Sequence, residues 1–479
     1  MLAEGKAVAA ELDYQQVGVS KPQYRMTQLI QQTGGQTLTI PAAAQQTSIF
    51  EIPARPFNLA RSYLQFSYTL PAPGAAGSYC ASWSDFLPVF DQIQFYTRSG
   101  VNMADIQFAQ MAHKTMLKYE TKLDHFLHAD SSTGVLFRNN ALVNATAAFR
   151  PGCSNSNQTV AAPLVPPLVG RSVTASLNYT EPSYYVLGED NKALTQYFIV
   201  PLSTFVNTAF ALNKDMHLGG QLAYIRFTWA PASVTGLVQS VNADPTNINT
   251  RWAAQAVPST VSNLSLFLAQ EIEESIVAVL QEKVLSGGMT YQVPYLYSLT
   301  QNLTGTNHNM TLRFNRGHGQ RLRKIFYTRT SAAPSDPSLI YSTSNQTYQD
   351  GTWNDRGSTQ MQLSYFYTQL DNRRQQEINV DCKWGTAGSA IDYMLMKPRL
   401  RDTVIQNLNM HQYNWGWIEG WEDGTYDKDS QVVRSGLSLD TEKKWDIFSV
   451  YATAANINHY AFAVIEREIV VDAAGVKII

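Results

Sequence analysis

Arg61-Ser62-Tyr63-Leu64-Gln65-Phe66 is followed in the chain by Ile93-Gln94-Phe95-Tyr96-Thr97, and both pieces return in the same order as Arg321-Leu322-Arg323-Lys324-Ile325-Phe326 and Ser364-Tyr365-Phe366-Tyr367-Thr368. A third pair comes late in each half. Pro201-Leu202-Ser203 precedes Tyr224-Ile225-Arg226-Phe227, and Gly436-Leu437-Ser438 precedes His459-Tyr460-Ala461-Phe462; Leu437 lies 235 residues after Leu202, and Phe462 lies 235 after Phe227. Phe, Tyr and Thr all favour strands, so composition alone also lets Phe-Tyr-Thr recur, and the identical Phe-Tyr-Thr-Arg at 95 and 326 permits a competing alignment. The ordered set of matched pieces predicts a chain built twice on one plan.

At 479 residues the chain suits two domains of about 200 residues each. The coarse division reads as an N-terminal arm over 1–36, a first unit over 37–232, a linker rich in Ala, Ser, Thr, Asn and Pro over 233–262, and a second unit over 263–479. Strands are predicted at 48–53, 63–68 and 90–96. The clearest is Gln221 to Trp229, where Ala223, Ile225, Phe227 and Trp229 alternate with Tyr224, Arg226 and Thr228. Helical spacing is read over Met103–His128 and Lys397–Tyr413, and Ile276–Leu285 reads either as a strand or as a helix. Polar insertions over Ala332–Gln360 and Trp417–Arg434 read as long surface loops. Many short strands in two units give the expected fold class: all-β, two tandem β-sandwich domains of the jelly-roll kind, with short helical excursions and long surface loops.

Charged residues make up 15% of the chain and aromatics 11%, so the surface suits packing against neighbours. A net charge of −2 supplies no global field for phosphates, and no sequence-specific nucleic-acid binding is expected. Cys80, Cys153 and Cys382 have neither zinc-ribbon spacing nor an even count, and reduced thiols are the simplest reading. The first residues lack the basic start of a secretory signal, and no apolar run reaches about 18 residues, so the chain is expected to be made in the cytoplasm without a signal peptide. The Asn-x-Ser/Thr sequons at Asn144, Asn157, Asn178, Asn263, Asn302, Asn309 and Asn345 then read as polar loops.

Candidate chemistry is sparse. Asp124, His125 and His128 sit too close together to converge on one tetrahedral ion, and Asp423, Asp427 and Asp429 miss the calcium-loop spacing, so no metal and no cofactor is expected. The run Arg313–Lys324 mixes glycine with base but lacks a phosphate-loop ending. It reads as a hairpin with Arg321 and Arg323 on one face and Leu322 and Lys324 on the other. There is no nucleophile elbow, and Glu271, Glu273 and Glu274 read as a solvated face. Trp415, Trp417 and Trp421 are either a surface contact cluster or core beneath a loop.

Ile52-Pro53-Ala54-Arg55-Pro56-Phe57-Asn58-Leu59-Ala60 leading into Arg61–Phe66, the stretch from Pro201-Leu202 to Trp229 with Asp215 between its strands, and Tyr365-Phe366-Tyr367-Thr368-Gln369-Leu370-Asp371-Asn372 give the chain its family likeness. On these it resembles the double jelly-roll major capsid proteins of virophages, Polinton-like viruses, adenoviruses and large DNA viruses, nearest the virophage and Polinton-like branch. The resemblance implies a non-enzymatic structural protein of the virion. It implies a homotrimer whose six sandwiches form a pseudo-hexagonal capsomer tiling an icosahedral shell around double-stranded DNA. The implied partners are further copies of the chain, penton and minor capsid proteins and an internal membrane, with Trp415, Trp417 and Trp421 in a tower or intratrimer contact. The rival expectations are a carbohydrate-binding or glycan-cleaving β-sandwich and a minor capsid or spike protein.

Overall fold

Ala223, Ile225, Phe227 and Trp229 are all fully buried, and their strand pairs antiparallel with Gln46–Ile52 on one side and Phe90–Thr97 on the other. The alternation read from the sequence thus sets one layer of the first half. The computed structural model describes residues 22–76, 78–83, 89–119, 185–187, 191–239, 253–317, 319–332, 363–377, 379–381, 416–421 and 436–478. The first half contains β1 (Tyr24–Leu29), β2 (Leu38–Ile40), β3 (Gln46–Ile52), β4 (Phe57–Leu70), β5 (Tyr79–Trp83), β6 (Phe90–Thr97), β7 (Asn102–Gln107), α1 (Ala109–Tyr119), β8 (Tyr185–Leu187), β9 (Leu194–Pro201), β10 (Ala223–Trp229), β11 (Gly236–Gln239), β12 (Ala253–Ala254) and β13 (Ser259–Glu271). After α2 (Glu274–Ser286) come β14 (Met289–Phe314), β15 (Arg321–Ser331), β16 (Leu363–Leu370), β17 (Arg373–Arg374), β18 (Val380–Asp381), β19 (Gly416–Gly420), β20 (Leu437–Ser438), β21 (Lys443–Asp472) and β22 (Gly475–Ile478).

One layer of the first sandwich runs β1-β13-β4-β9, with β2 also on β13, and the other runs β3-β10-β6-β7. Phe66 of β4 meets Phe90 of β6 and Trp229 of β10 edge-on at 5.8 and 5.2 Å, so the two layers face each other across an aromatic core. A smaller sheet, β12-β11-β5-β8, sits beside them.

The second half repeats the plan with fewer breaks. Met289–Gly305 of β14 pairs with the later part of β21, which also pairs β15, and β15 carries β19; Asn307–Phe314 pairs with the earlier part of β21, which also pairs β16. Trp417 of β19 meets Phe366 of β16 at 5.1 Å, so these too are facing layers. In both halves the first, eighth, third and sixth principal strands form one layer and the second, seventh, fourth and fifth form the other.

That plan locates the matched sequence pieces. Arg61–Phe66 and Arg321–Phe326 lie on corresponding strands β4 and β15, and Ile93–Thr97 and Ser364–Thr368 on corresponding strands β6 and β16. The third pair does not correspond: Tyr224–Phe227 is on β10, whose counterpart is the early part of β21, whereas His459–Phe462 lies in its later part, the counterpart of β13. Residues 230–258 separate β10 from β13 in the first half, and β21 runs straight through in the second, so an equal offset lands on the wrong strand.

Other readings change as well. The stretch read as an arm contains β1, which pairs in full register with β13. The 233–262 linker contains β11, β12 and the start of β13, and the first sandwich runs to Glu271, past the boundary at 262. A bulge between Ser262 and Ser265, with Asn263 at φ 55, breaks the alternation there and hid the strand. The helix read from Met103 is strand β7 up to Gln107. Phe108 at φ 53 ends it, and α1 starts at Ala109. Ile276–Leu285 is helical. Arg313–Lys324 is no hairpin, since β14 and β15 both pair with β21, and a bulge between Leu322 and Lys324 puts Lys324 out of register with buried Leu322. Trp417 opens no loop but lies in β19. Lys397–Tyr413, most of Ala332–Gln360, and the Asp124 and Asp423 groups lie outside the described residues.

Where β14 and β21 pass from one layer to the other, a buried relay pins the corner. The Gly305 carbonyl can only accept, so His308 Nε2–H donates to it at 3.1 Å and His308 Nδ1 is left as an acceptor. His459 Nε2–H therefore donates to His308 Nδ1 at 2.8 Å, and the Tyr327 hydroxyl donates to His459 Nδ1 at 2.6 Å. Arg329, fully buried beside them, donates to the Tyr451 hydroxyl at 3.1 Å. Burial holds both imidazoles below the usual histidine pKa, and Arg329 adds to the shift of each.

Candidate assembly surfaces

The outer face of the β1-β13-β4-β9 layer is built from side chains that satisfy one another. Cross-strand rows read Thr195, Thr69 and Thr260; Tyr197, Ser67 and Ser262; Ile199, Gln65 and Ser265; and Pro201, Tyr63 and Phe267. Thr69 and Thr195 hydroxyls meet at 2.9 Å, as do those of Ser67 and Ser262, and Gln28 donates to the Ser265 hydroxyl at 2.9 Å. The Tyr63 and Phe267 rings stack at 4.9 Å. None of these rows carries a charge, and Tyr197 is 73% exposed and Ile199 39%. The β9 side of the face is exposed, while Ser67 and Ser265 farther in are buried.

The corresponding layer of the second half is different. Its outward side chains Leu296, Phe326, Phe462 and Val464 are buried, because β7 and α1 of the first half pack over β14 and β15. Phe108 meets Tyr460 edge-on at 5.8 Å, and the His217 backbone N–H donates to the Tyr291 hydroxyl at 3.0 Å, with burial pushing that phenol up to about 12. Gly219, at φ 63, approaches the Asp472 carbonyl and Val284 so closely that an added Cβ would lie 3.2 Å from that oxygen.

The start of the described chain is tied down too. The Tyr24 hydroxyl donates to Asp215 at 2.7 Å, and burial, reinforced by that carboxylate, raises the phenol to about 12. Asn58 also donates to Asp215, at 3.2 Å. Arg55 donates to the Glu271 carbonyl at 2.9 Å and pairs with the exposed Glu274 carboxylate at 2.7 Å, while the Glu271 side chain is fully buried and accepts from the Gln23 and Glu273 backbone N–H groups, so Glu271 leaves the solvated face and Glu274 stays on it.

The tryptophans part company. Trp417 is 2% exposed and packs inward on Phe366, which selects the core reading for it; Trp421 is half-buried against the core, and Trp415 lies outside the described residues. Among the described residues no three His, Cys, Asp or Glu side chains gather as a metal site, and no helix is long and apolar enough to cross a membrane. Sequence reasoning missed the open face because Thr, Ser and Gln on alternate positions look like ordinary solvent-facing residues.

No family model and no curated protein matches the chain. Solved structures do. PBCV-1 VP54, fitted into a cryo-EM reconstruction of the virophage Sputnik, superposes with a TM-score of 0.50 at 8% identity, over 96% of this chain and 98% of that one. The chain is a double jelly roll. A quasi-atomic model of the PBCV-1 virus capsid gives the same TM-score at 9% identity, again over 96% and 98%. At such identity the likeness shows the fold, and the double jelly roll spans both halves of the chain.

Proposed function

We propose that the chain is a major capsid protein: three copies associate into a six-sided block, and blocks tile an icosahedral shell around double-stranded DNA. The observation that carries this reading is the duplication. Two sandwiches of one topology in a single chain let a three-fold assembly present six similar corners, which fills a hexagonal lattice with one kind of subunit. The matched structures' own names support it, since one is a model of the PBCV-1 virus capsid and the other was fitted into a reconstruction of the virophage Sputnik. The reading assigns no catalytic residue. It makes other copies, penton and minor capsid proteins and an internal membrane the partners, the virion the location, and the host cytoplasm the place of synthesis. Within the tryptophan cluster the contact role goes to Trp415 and half-buried Trp421. Burial of Trp417 supports this reading over a glycan-binding protein, whose stacking platform would use that ring exposed.

Expression of the full chain followed by mass measurement in solution and low-resolution imaging tests this. A three-chain particle with a six-sided outline is expected. A stable monomer across the concentrations at which capsids assemble overturns it.

A further inference from the structure

Helix α2 packs by one narrow stripe. Val277 and Val284 lie two turns apart and are buried, and Val284 sits against Gly219. A surface helix packed this way carries polar side chains on its remaining sides. On α2 the run from Ile276 to Leu280 is apolar without a break, Val279 stands 50% exposed on the side away from the stripe, and Leu285 stands 73% exposed on its flank. Ile272, which leads into the helix, is 40% exposed. The described residues thus leave apolar side chains of α2 uncovered on two sides.

The chain brings a second apolar segment to this spot. The Gln23 backbone N–H donates to the Glu271 carboxylate at 2.9 Å, and its carbonyl accepts from the Ile272 N–H at 2.9 Å, so the chain is held at residue 23 beside the start of α2. Residues 1–21, which lie outside the described residues, are therefore tethered there. With 13 residues α2 is about 20 Å long, and a 21-residue segment reaches about 30 Å as a helix and about 70 Å extended, enough to follow α2 in either form. Its sequence supplies Leu2, Val8, Leu12, Val17 and Val19. Acids exceed bases in both partners, with Glu4, Glu11 and Asp13 against Lys6 and Lys21 in the segment and Glu274 and Glu282 against Lys283 in the helix. That balance suits an apolar contact and does not suit a phosphate-bearing surface. A short tether holds the segment near its own α2 at an effective concentration in the millimolar range, which favours that helix over the α2 of another copy.

We propose that residues 1–21 dock along the exposed apolar sides of α2 in the same chain and cover Ile272, Val279 and Leu285. Because α2 joins β13 to β14, this lays the start of the chain on the link between the two sandwiches. The inference does not rest on the capsid reading.

The test labels Leu285→Cys in the full, dissociated chain with a maleimide and reads modification at that position by peptide mass spectrometry, since Cys80, Cys153 and Cys382 are also present. Leu285 is outside the packed stripe, so the fold is expected to survive the change, and thermal unfolding checks it. Adding Val8→Asp, Leu12→Asp and Val17→Asp should speed labelling at least about tenfold, because carboxylates resist burial against the helix. Equal rates with and without these three substitutions overturn the proposal. So does protection that grows with chain concentration, which gives α2 to a second copy, and so does protection seen only with phospholipid vesicles, which gives it to a membrane. Hydrogen exchange over 274–286 with native Leu285 is the second arm. It should be at least about tenfold slower in the wild type than in the triple variant, and equal exchange overturns the proposal too. Each of these outcomes leaves the capsid reading standing, since that reading is tested by the number of chains in the particle.

Discussion

At the scale of single residues, the His308–His459 relay sets a pH dependence whose sign follows from its geometry. Each imidazole uses one nitrogen to donate and one to accept, so a proton added to His308 Nδ1 faces the His459 Nε2–H, and one added to His459 Nδ1 removes the acceptor of the Tyr327 hydroxyl. The described titratable and charged groups around the pair are Arg329, Tyr327 and Tyr451, and Arg329 disfavours a further cation. In the folded chain the histidine pKa values lie below the unfolded value of about 6.5, so below that pH unfolding takes up protons. The stabilisation is complete above about pH 6.5 and is lost as pH falls toward the folded values. Between pH 7 and 5 the folding equilibrium should drop on the order of thirtyfold for each histidine that stays neutral when folded. His113, which burial holds at about 4, and His217, also lowered by burial, share that slope globally. Hydrogen exchange over 300–312 and 449–460 isolates the relay. Protection there should fall with acid in the wild type and hold in His308→Gln with His459→Gln, where each amide can still donate and accept; equal loss in both proteins counts against it. Gly219→Ala forces a side chain into a left-handed position against a carbonyl. It should destabilise by about 1–2 kcal/mol in denaturant titration.

At the scale of elements, what was legible in the sequence was alternation, and what was not was its interruption. The β10 strand was plain because Ala223, Ile225, Phe227 and Trp229 keep strict period two to full burial. Pairing Arg61–Phe66 with Arg321–Phe326 found the right strands in the wrong register. The bulge after Leu322 turns Phe326 outward, and Tyr327 takes the inward role that Phe66 has in the first half. Asn263 and Phe108 interrupt their elements through backbone angles that residue type only weakly signals. Nor does sequence periodicity reveal which faces other elements cover, so the open face and the covered one looked alike. Trp417 could be read either way until Phe366 was seen against it. As core, Trp417→Ala should cost about 3–5 kcal/mol in the unfolding of the chain itself, measured under conditions where it does not assemble. A variant that unfolds like wild type but no longer associates would return Trp417 to the surface.

For the whole molecule, folding follows from how the two halves are closed and joined. The packing of β7 and α1 on β14 and β15 fixes one sandwich against the next. β13 lies between β1 and β4, so the first half cannot complete its layer from its own early residues. A fragment ending at residue 262 should aggregate, whereas one ending at 272 should be soluble with cooperative unfolding; equal behaviour of the two would contradict the central place of β13. For a ribosome making this protein, Tyr24 emerges early and must wait for Glu271 before it is paired. In the interval β1 and β4 expose unpaired edges that a neighbouring nascent chain can capture. Each half closes only with its last strand, β13 and then the end of β21, so the pace of translation through residues 230–258 sets how long the first sandwich stands open beside other unfinished copies.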